Sequence, residues 1–453
     1  MNIDWPAVGN EAAALLGEYL RTRTVNPPGN ERLAADYLQA QLHARGFETT
    51  LWEAAPGRAN LMARLKGDAS QRPVILLHHM DVVAADRERW SVDPFGGEIR
   101  DGFVWGRGAL DMKGAGIMHL LAMDLLKRKG IQLRRDVVLL AVSDEEVDSS
   151  HGVSWLLSEH QAELDAEYVW DEGGFGLEGL FGKRVLFSVA VTEKGCLWLR
   201  LVVEGEPGHG GVPKGGNPVE LLVAALERVR RHRWPVRLHP VAGDFFRVVA
   251  GQLSWHQRWL LQNLQRKPVL ALASRALGKQ PALKAMLQNT VSLTGTRAGV
   301  KENVIPERAE ATLDVRLLPG EDVSAFLAEL GRVASEPRLR IETIQAPEPA
   351  TVTPYQGDAM FAAMERVCQR LVPGCLVAPM LSPGTTDSQH LRRHGVKTFG
   401  LFPAVISTDE LARFHGIDER ISVANLTLGT RMVYEVLREL CADPNSGQRR
   451  NRC

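Results

Sequence analysis

The sequence predicts an α/β protein: a mostly parallel sheet with helices on both faces, split by an inserted α+β unit. Two observations carry this reading. Short, unbroken apolar runs alternate with amphipathic stretches in both the N-terminal and C-terminal parts of the chain, as strands buried on two faces do between crossover helices. Between them, from Glu193 to Ala346, strand-like stretches alternate apolar with polar residues, the pattern of half-exposed strands.

The elements follow in order. Residues 15–20 read as part of an amphipathic helix, and Asp4 and Glu11 interrupt any apolar leader. Residues 31–45 have helical spacing and stop at Gly46. Pro73-Val-Ile-Leu-Leu-His78 is a buried parallel strand, with His78 a packing or surface residue. A helix spans 112–129; Lys127, Arg128 and Lys129 suit the negative end of its dipole, and Gly130 can close it. Asp136-Val-Val-Leu-Leu-Ala-Val142 and residues 166–170 are further buried strands, joined by right-handed crossovers.

Within the insert, 196–204, 309–316 and 338–344 read as strands and 218–230 and 323–334 as helices. The stretch 235–288 is too long for an ordinary loop, and its Trp255, Trp259, Leu260 and Leu261 suggest helices elaborating the insert. After Pro347 the first pattern returns, with helices at 357–371 and 423–440 and a strand at 398–402. The expected organisation is one domain from 1–192 and 347–453, with 193–346 inserted. The polar tail, 442–453, reads as disordered.

Composition narrows the function classes. Lys plus Arg and Asp plus Glu both number 54, so no overall basic excess exists to hold a nucleic-acid backbone. No run of about 18 apolar residues suggests a membrane span. Five scattered cysteines (Cys196, Cys368, Cys375, Cys441, Cys453) form no Cys-x-x-Cys pair, which indicates neither a disulfide framework nor a thiolate metal site. The cytoplasm is the expected location.

Chemistry concentrates where predicted strands end, the edge at which parallel sheets bind ligands. In His79-x-Asp81, an imidazole can ligate a metal while the carboxylate takes its other N–H and fixes the tautomer. Gly106-Arg-Gly-Ala-Leu-Asp111-Met-Lys-Gly114 puts a carboxylate at the mouth of a helix in a glycine-rich turn. That aspartate can offer one oxygen to each of two cations or serve as a helix cap, and neither phosphate-loop spacing is present. Ser143-Asp144-Glu145-Glu146-Val-Asp148 places four acids at the end of a core strand, where they repel one another unless cations are near. Hydrolysis needs one carboxylate to bind metal and a free one to move protons; Glu146 and Glu145 supply that pair. Asp171-Glu172-Gly-Gly174 adds carboxylates at another strand end.

These segments, in this order, resemble the M20 family of metallopeptidases, the aminoacylase, carboxypeptidase S and succinyl-diaminopimelate desuccinylase group. The resemblance runs from Asn26-Pro-Pro-Gly-Asn-Glu31 to Phe414-His415-Gly-Ile-Asp-Glu-Arg420. It implies a zinc-peptidase-like catalytic domain with an inserted lid and dimerisation domain. It implies two Zn2+ ions per subunit, with Co2+ or Mn2+ able to substitute. One ion sits on His79, Asp111 and Glu172, the other on Asp111, Glu146 and His415, with Asp81 orienting His79 and Glu145 as general base and acid. Glu172, not Asp171, is chosen because Asp-Glu-Gly-Gly matches the aminoacylase-like branch. His209, in Gly208-His209-Gly-Gly-Val-Pro213, resembles a lid histidine that reaches a partner subunit's substrate, so a homodimer is implied. Asn303 and Arg316 are candidates to hold a substrate carboxylate, although Arg316 suits a structural ion pair equally. Gly384 and Thr385 fall in a substrate loop where many members carry Arg two residues after Asp387; Gln389 stands there instead.

The expected activity is hydrolysis of an amide bond in an N-acyl-amino acid or short peptide with a free carboxylate. Glu145 takes a proton from the attacking water and returns it to the leaving amine. The alternatives are a dipeptidase or aminopeptidase acting on unblocked peptides, or an inactive metal-binding regulatory protein.

Overall fold

The computed structural model describes residues 3–443 apart from 181, 183, 214, 278 and 279. Of the tail read as disordered, 444–453 lie outside the described residues, while Ala442 and Asp443 are tied down, Ala442 bridging to Leu133 and the Asp443 amide bonding the Gln132 carbonyl at 2.9 Å.

Strand burial sets the main sheet. In Val74–His79, Val74 and Leu76 pack into one core while Ile75 and Leu77 pack into a second on the opposite face. Val137–Val142 does the same, which is why both segments read as unbroken apolar runs. Val74–His79 lies between Val137–Val142 and Tyr168–Asp171, parallel to both, and Lys397–Gly400 continues in parallel beside Tyr168–Asp171. The segment after residue 347 thus completes the sheet begun by the first. Among the described residues, ten strands join this sheet.

Its remaining strands are antiparallel or at the flanks, and most were not read from the sequence. Thr49–Ala55 and Arg58–Leu65 form a hairpin at one edge, turning at Gly57, whose φ of 82° is left-handed. Thr49–Ala55 has no fully buried residue, so it carries no core signal. Leu186–Glu193 and Leu376–Ser382 pair in parallel on the other side. Helices Trp5–Arg21, Lys113–Arg128 and Val423–Cys441 pack on one another over one face, Trp5 meeting Tyr434 edge-on at 5.9 Å. Val153–Glu159 and Ser388–Arg393 cover the other, burying Val153, Leu156 and Leu391.

A second sheet is wholly antiparallel, in the order Thr290–Ala298, Arg308–Leu317, Gly195–Glu204, Leu339–Gln345. Leu197, Leu199, Leu201 and Val203 face inward against Leu313 and Val315, under helices Pro218–Arg231 and Val323–Ala334. One covered face explains the alternation seen in the sequence.

The stretch 235–288 is helical, as expected, in Pro240–Ala250, Trp255–Gln262, Lys267–Leu277 and Pro281–Ala285. It does not elaborate the insert's core. Val241, Phe245, Phe246 and Val249 join the main core, and Pro240–Ala250 lies against Leu376–Ser382. That helix carries an apolar stripe, and the flanking strand of the main sheet offers the face that buries it. Among the described residues no helix is long and apolar enough to cross a membrane.

Candidate active site

Parallel strands bring their carboxyl ends to one edge. His79 closes Val74–His79, Glu145 and Glu146 follow Val137–Val142, and Glu172 follows Tyr168–Asp171. Asp111 precedes helix Lys113–Arg128, and His415 follows the short helix Thr408–Leu411. All six converge.

The His79 Nε2 lies 3.1 Å from Asp111 Oδ1 and 3.6 Å from Glu172 Oε1. The other Asp111 oxygen lies 2.6 Å from His415 Nε2, which is 3.4 Å from Glu146 Oε2. Asp111 therefore turns one oxygen to each imidazole, the arrangement expected of a bridging carboxylate. Ligand atoms of His79, Asp111 and Glu146 lie within 4.8 Å of one another, and so do those of His79, Glu145 and Glu172. His79, Asp111 and Glu172 are buried, while His415 stands exposed at the rim.

Electrostatics test whether this donor set suits cations. Burial, then the nearby Glu172 carboxylate, pushes the Glu145 carboxyl well above its ordinary range. Burial and Asp111 do the same to Glu172, and burial and Asp111 raise Glu146. Burial alone would raise Asp111, but hydrogen bonds from His415 and His79 outweigh it and hold that carboxyl low. The converse appears at His415: burial opposes the charged ring, yet Asp111 and Glu146 raise it to about 10. Without metal, the imidazoles must carry the positive charge the carboxylates demand. Glu146 Oε1 is also buried without a hydrogen-bond partner. An excess of buried carboxylate oxygen beside imidazole nitrogen fits divalent cations such as zinc.

Asp81 works differently from expectation. The His79 Nδ1–H points to the Asp81 main-chain carbonyl at 2.9 Å, and the carboxylate stands farther off, at 3.5 Å. That carboxylate instead accepts the amides of Glu145 (3.2 Å) and Glu146 (3.1 Å) and the Asn26 side chain (2.8 Å). Two adjacent acids keep their orientation when their amides are held, and Asp81 accepts both. Asp81 is thus a positioning residue for both acids as well as for His79.

Three supporting residues escaped the sequence reading. Asn26 bridges the carboxylates of Asp81 and Asp144. Arg58 ties Asp144 (2.6 Å) to the buried Glu31 (2.7 Å), fixing the turn that carries Glu145. Glu419 is buried and accepts the amides of Gly108, Leu110 and Asp111 at 2.7–3.2 Å together with the Arg107 guanidinium. The glycine-rich turn thus wraps a carboxylate of the chain's own. Gly114 is required there because a Cβ would fall 2.2 Å from the Ala109 carbonyl oxygen. Asn26, Glu31 and Glu419 lay inside the quoted motifs; Arg58 had no sequence signal.

Asp171 is turned away, accepting Ser388 Oγ at 2.7 Å, so Glu172 is the carboxylate facing His79. His78 packs inside, its Nε2 at 3.2 Å from the Tyr19 hydroxyl.

A cleft of about 1160 Å3 opens from this cluster, lined by Arg316, Gly384, Thr385 and Gln389 among others. Arg316 donates to Thr385 Oγ1 at 2.7 Å and pairs with Asp314 at 2.7 Å, so it faces the cleft and holds an ion pair at once. His209 and Asn303 lie outside the cleft of this chain. They are exposed and adjacent, with His209 paired to Val304 and the Gly210 amide bonded to the Asn303 carbonyl.

Residues 75–439 match the sequence profile described as Peptidase family M20/M25/M40. The chain belongs to this family. It is 30% identical to an N-fatty-acyl-amino acid synthase/hydrolase of Homo sapiens, over 83% of this chain and 76% of the relative. It is 28% identical to aminoacylase-1 of Pongo abelii, covering 97% of each. An M20 family metallo-carboxypeptidase from Sulfolobus solfataricus shares the fold with a TM-score of 0.72 at 21% identity, over 94% of this chain and 98% of that one. This M20 chain is accordingly a metal-dependent hydrolase of amide bonds, with a mixed α/β fold around a mostly parallel sheet.

Proposed function

We propose that this M20 chain hydrolyses N-acyl-amino acids, with an apolar acyl group at one end of the scissile amide and a free carboxylate at the other. The observation that carries the proposal is the cleft's two-sided lining: Phe175, Leu177, Met380, Leu411 and Phe414 offer apolar surface, while Arg316 offers a guanidinium. Phe414 meets Phe175 edge-on at 5.9 Å and stacks on His415 at 4.9 Å, so the apolar wall reaches the reacting cluster. The relatives, an N-fatty-acyl-amino acid synthase/hydrolase and an aminoacylase, agree with this substrate class.

Two divalent ions per subunit, zinc by choice of ligand and cobalt or manganese as substitutes, would be held by His79, Asp111 and Glu172 and by Asp111, Glu146 and His415. When bound they supply the Lewis acidity that polarises the amide carbonyl and stabilises the developing negative charge. The chain does the rest. Glu145 removes a proton from the attacking water and delivers it to the leaving nitrogen. Asp81 and Asn26 hold the Glu145–Glu146 turn so that one acid binds while the other shuttles. Arg316, braced by Asp314, grips the substrate carboxylate.

The catalytic domain is assigned to 1–192 and 347–453 and the lid to 193–346, of which Pro240–Ala250 packs against the catalytic core. His209 and Asn303, remote from the cleft of their own chain, serve the cleft of a second copy in a homodimer. The cytoplasm suits Cys196, Cys368, Cys375 and Cys441, all buried as free thiols.

A panel of N-acyl-amino acids and unblocked dipeptides tests the substrate class. The N-acyl compounds should turn over and gain kcat/KM as the acyl group lengthens. Arg316→Ala should raise KM about 10- to 100-fold, the worth of a charged hydrogen-bonded pair. Cleavage confined to unblocked dipeptides would exclude this reading. The dimer claim is checked by mixing inactive His209→Ala and Glu145→Gln subunits. A quarter or so of dimer sites then regain both groups, so activity should return, and a mixture as inactive as its parts would refute it.

A further inference from the structure

A second cavity, of about 720 Å3, lies between residues 232–236, helix Lys267–Leu277 and the short helix Pro281–Ala285. Lys267, Leu270, Ala271, Ser274 and Arg275 fall on one stripe of the longer helix, and that stripe forms a wall. Trp234 and Val236 supply further apolar lining. Trp234 is fixed there, tilted against Phe326 at 4.9 Å and met edge-on by His232 at 4.6 Å.

The charge is one-sided. Among the described residues, Arg233, Lys267, Arg275 and Lys284 line the cavity and no aspartate or glutamate does. Neighbouring arginines show the usual alternative: Arg230 and Arg231 pair with Glu227, and Arg237 with Glu321. His232 has Glu329 at 3.3 Å. Among the described residues, Arg233, Lys267, Arg275 and Lys284 enter no ion pair of the kind their neighbours form. All four side chains are exposed, so water solvates each of them, but around one concave surface they sum to a positive field that draws an anion. Of the apolar lining, Trp234 and Leu270 are already largely buried and Val236 half-buried, so an apolar group would gain by covering what remains exposed of them beside the cations.

We propose that this cavity binds an organic anion with an apolar body, a carboxylate amphiphile the size of a fatty acid. Its volume lies within the range of about 300–1,000 Å3 usual for small-molecule sites. An inorganic anion would answer the charge and leave the remaining apolar surface uncovered. The cavity is distinct from the cleft but backs onto it: on helix Pro281–Ala285, Ala282 lines the cleft and Lys284 lines the cavity. The test must therefore separate the two.

Dodecanoate carrying a chain diazirine is photolysed with the full-length protein and the labelled peptides are mapped. Label is expected on peptides carrying 232–237 and 267–275, in addition to any in the cleft around 411–416. Lys267→Glu with Arg275→Glu should lower the cavity label about tenfold or more, equivalent to about 1.4 kcal/mol, and leave amide hydrolysis unchanged. Lys284→Glu, on the other helix, should act in the same direction, which separates lost charge from local misfolding of 267–277. Label confined to cleft peptides, or cavity label indifferent to both variants, overturns the proposal. So does equal labelling by the dodecanol analogue, or displacement by equimolar inorganic phosphate.

Discussion

Glu145→Gln is expected to lower kcat for amide hydrolysis by about 10²- to 10⁴-fold while metal content and KM stay near the parent values. Glutamine keeps the shape of the side chain, and the main-chain N–H of residue 145 still donates to Asp81, but the amide side chain cannot carry a proton from water to nitrogen. The direct His415 contacts belong to Asp111 and Glu146, so Glu146 is the proposed ligand and Glu145 the proposed group for proton transfer. Burial and Glu172 hold its carboxyl well above the ordinary range in the metal-free chain. Bound cations oppose that shift and return it toward a value useful to a base at neutral pH. Steady-state kinetics with elemental analysis of the same preparation checks the prediction. A variant with parental kcat would show that another group moves the proton, and a variant without metal would show that Glu145 is a ligand.

Glu419→Ala is expected to destabilise the fold by about 3–5 kcal/mol, the usual cost of leaving a buried charge without its partner. Arg107 would lose its carboxylate while 2% exposed, and the amides of Gly108, Leu110 and Asp111 would lose their shared acceptor. Asp111 sits on that turn, so activity should fall even where the variant folds. Urea unfolding reads the stability directly. A loss below about 1 kcal/mol would place the organisation of the turn elsewhere.

What the sequence made legible follows from burial. Val74–His79 and Val137–Val142 are covered on both faces, so their composition alone marks them, and the acids at their ends stand out against it. The edge hairpin Thr49–Ala55 with Arg58–Leu65 is half covered and leaves no such contrast. Helix Pro240–Ala250 announced its period but not its partner, because an apolar stripe does not name the surface that buries it. The candidate ligands His79, Glu146 and Glu172 were legible as residue types at strand ends, whereas Asp111 and His415 stood out through the motifs around them. The roles of Asp81, Arg58 and Glu419 were not, because which main-chain amide a carboxylate accepts depends on where distant segments meet. His209 reads from the sequence as a lid histidine reaching a partner subunit's substrate; to that the structure adds that His209 and Asn303 are exposed neighbours outside the cleft's lining.

Titration of the metal-free protein with Zn2+, following release of the amino acid from an N-acyl-amino acid, tests the central claim most directly. Activity should be absent after chelation, rise with added zinc and break near two equivalents per chain. Chelated protein that still turns over substrate, with zinc below a small fraction of an equivalent, would contradict the assignment of this carboxylate–imidazole cluster as a two-metal hydrolytic centre.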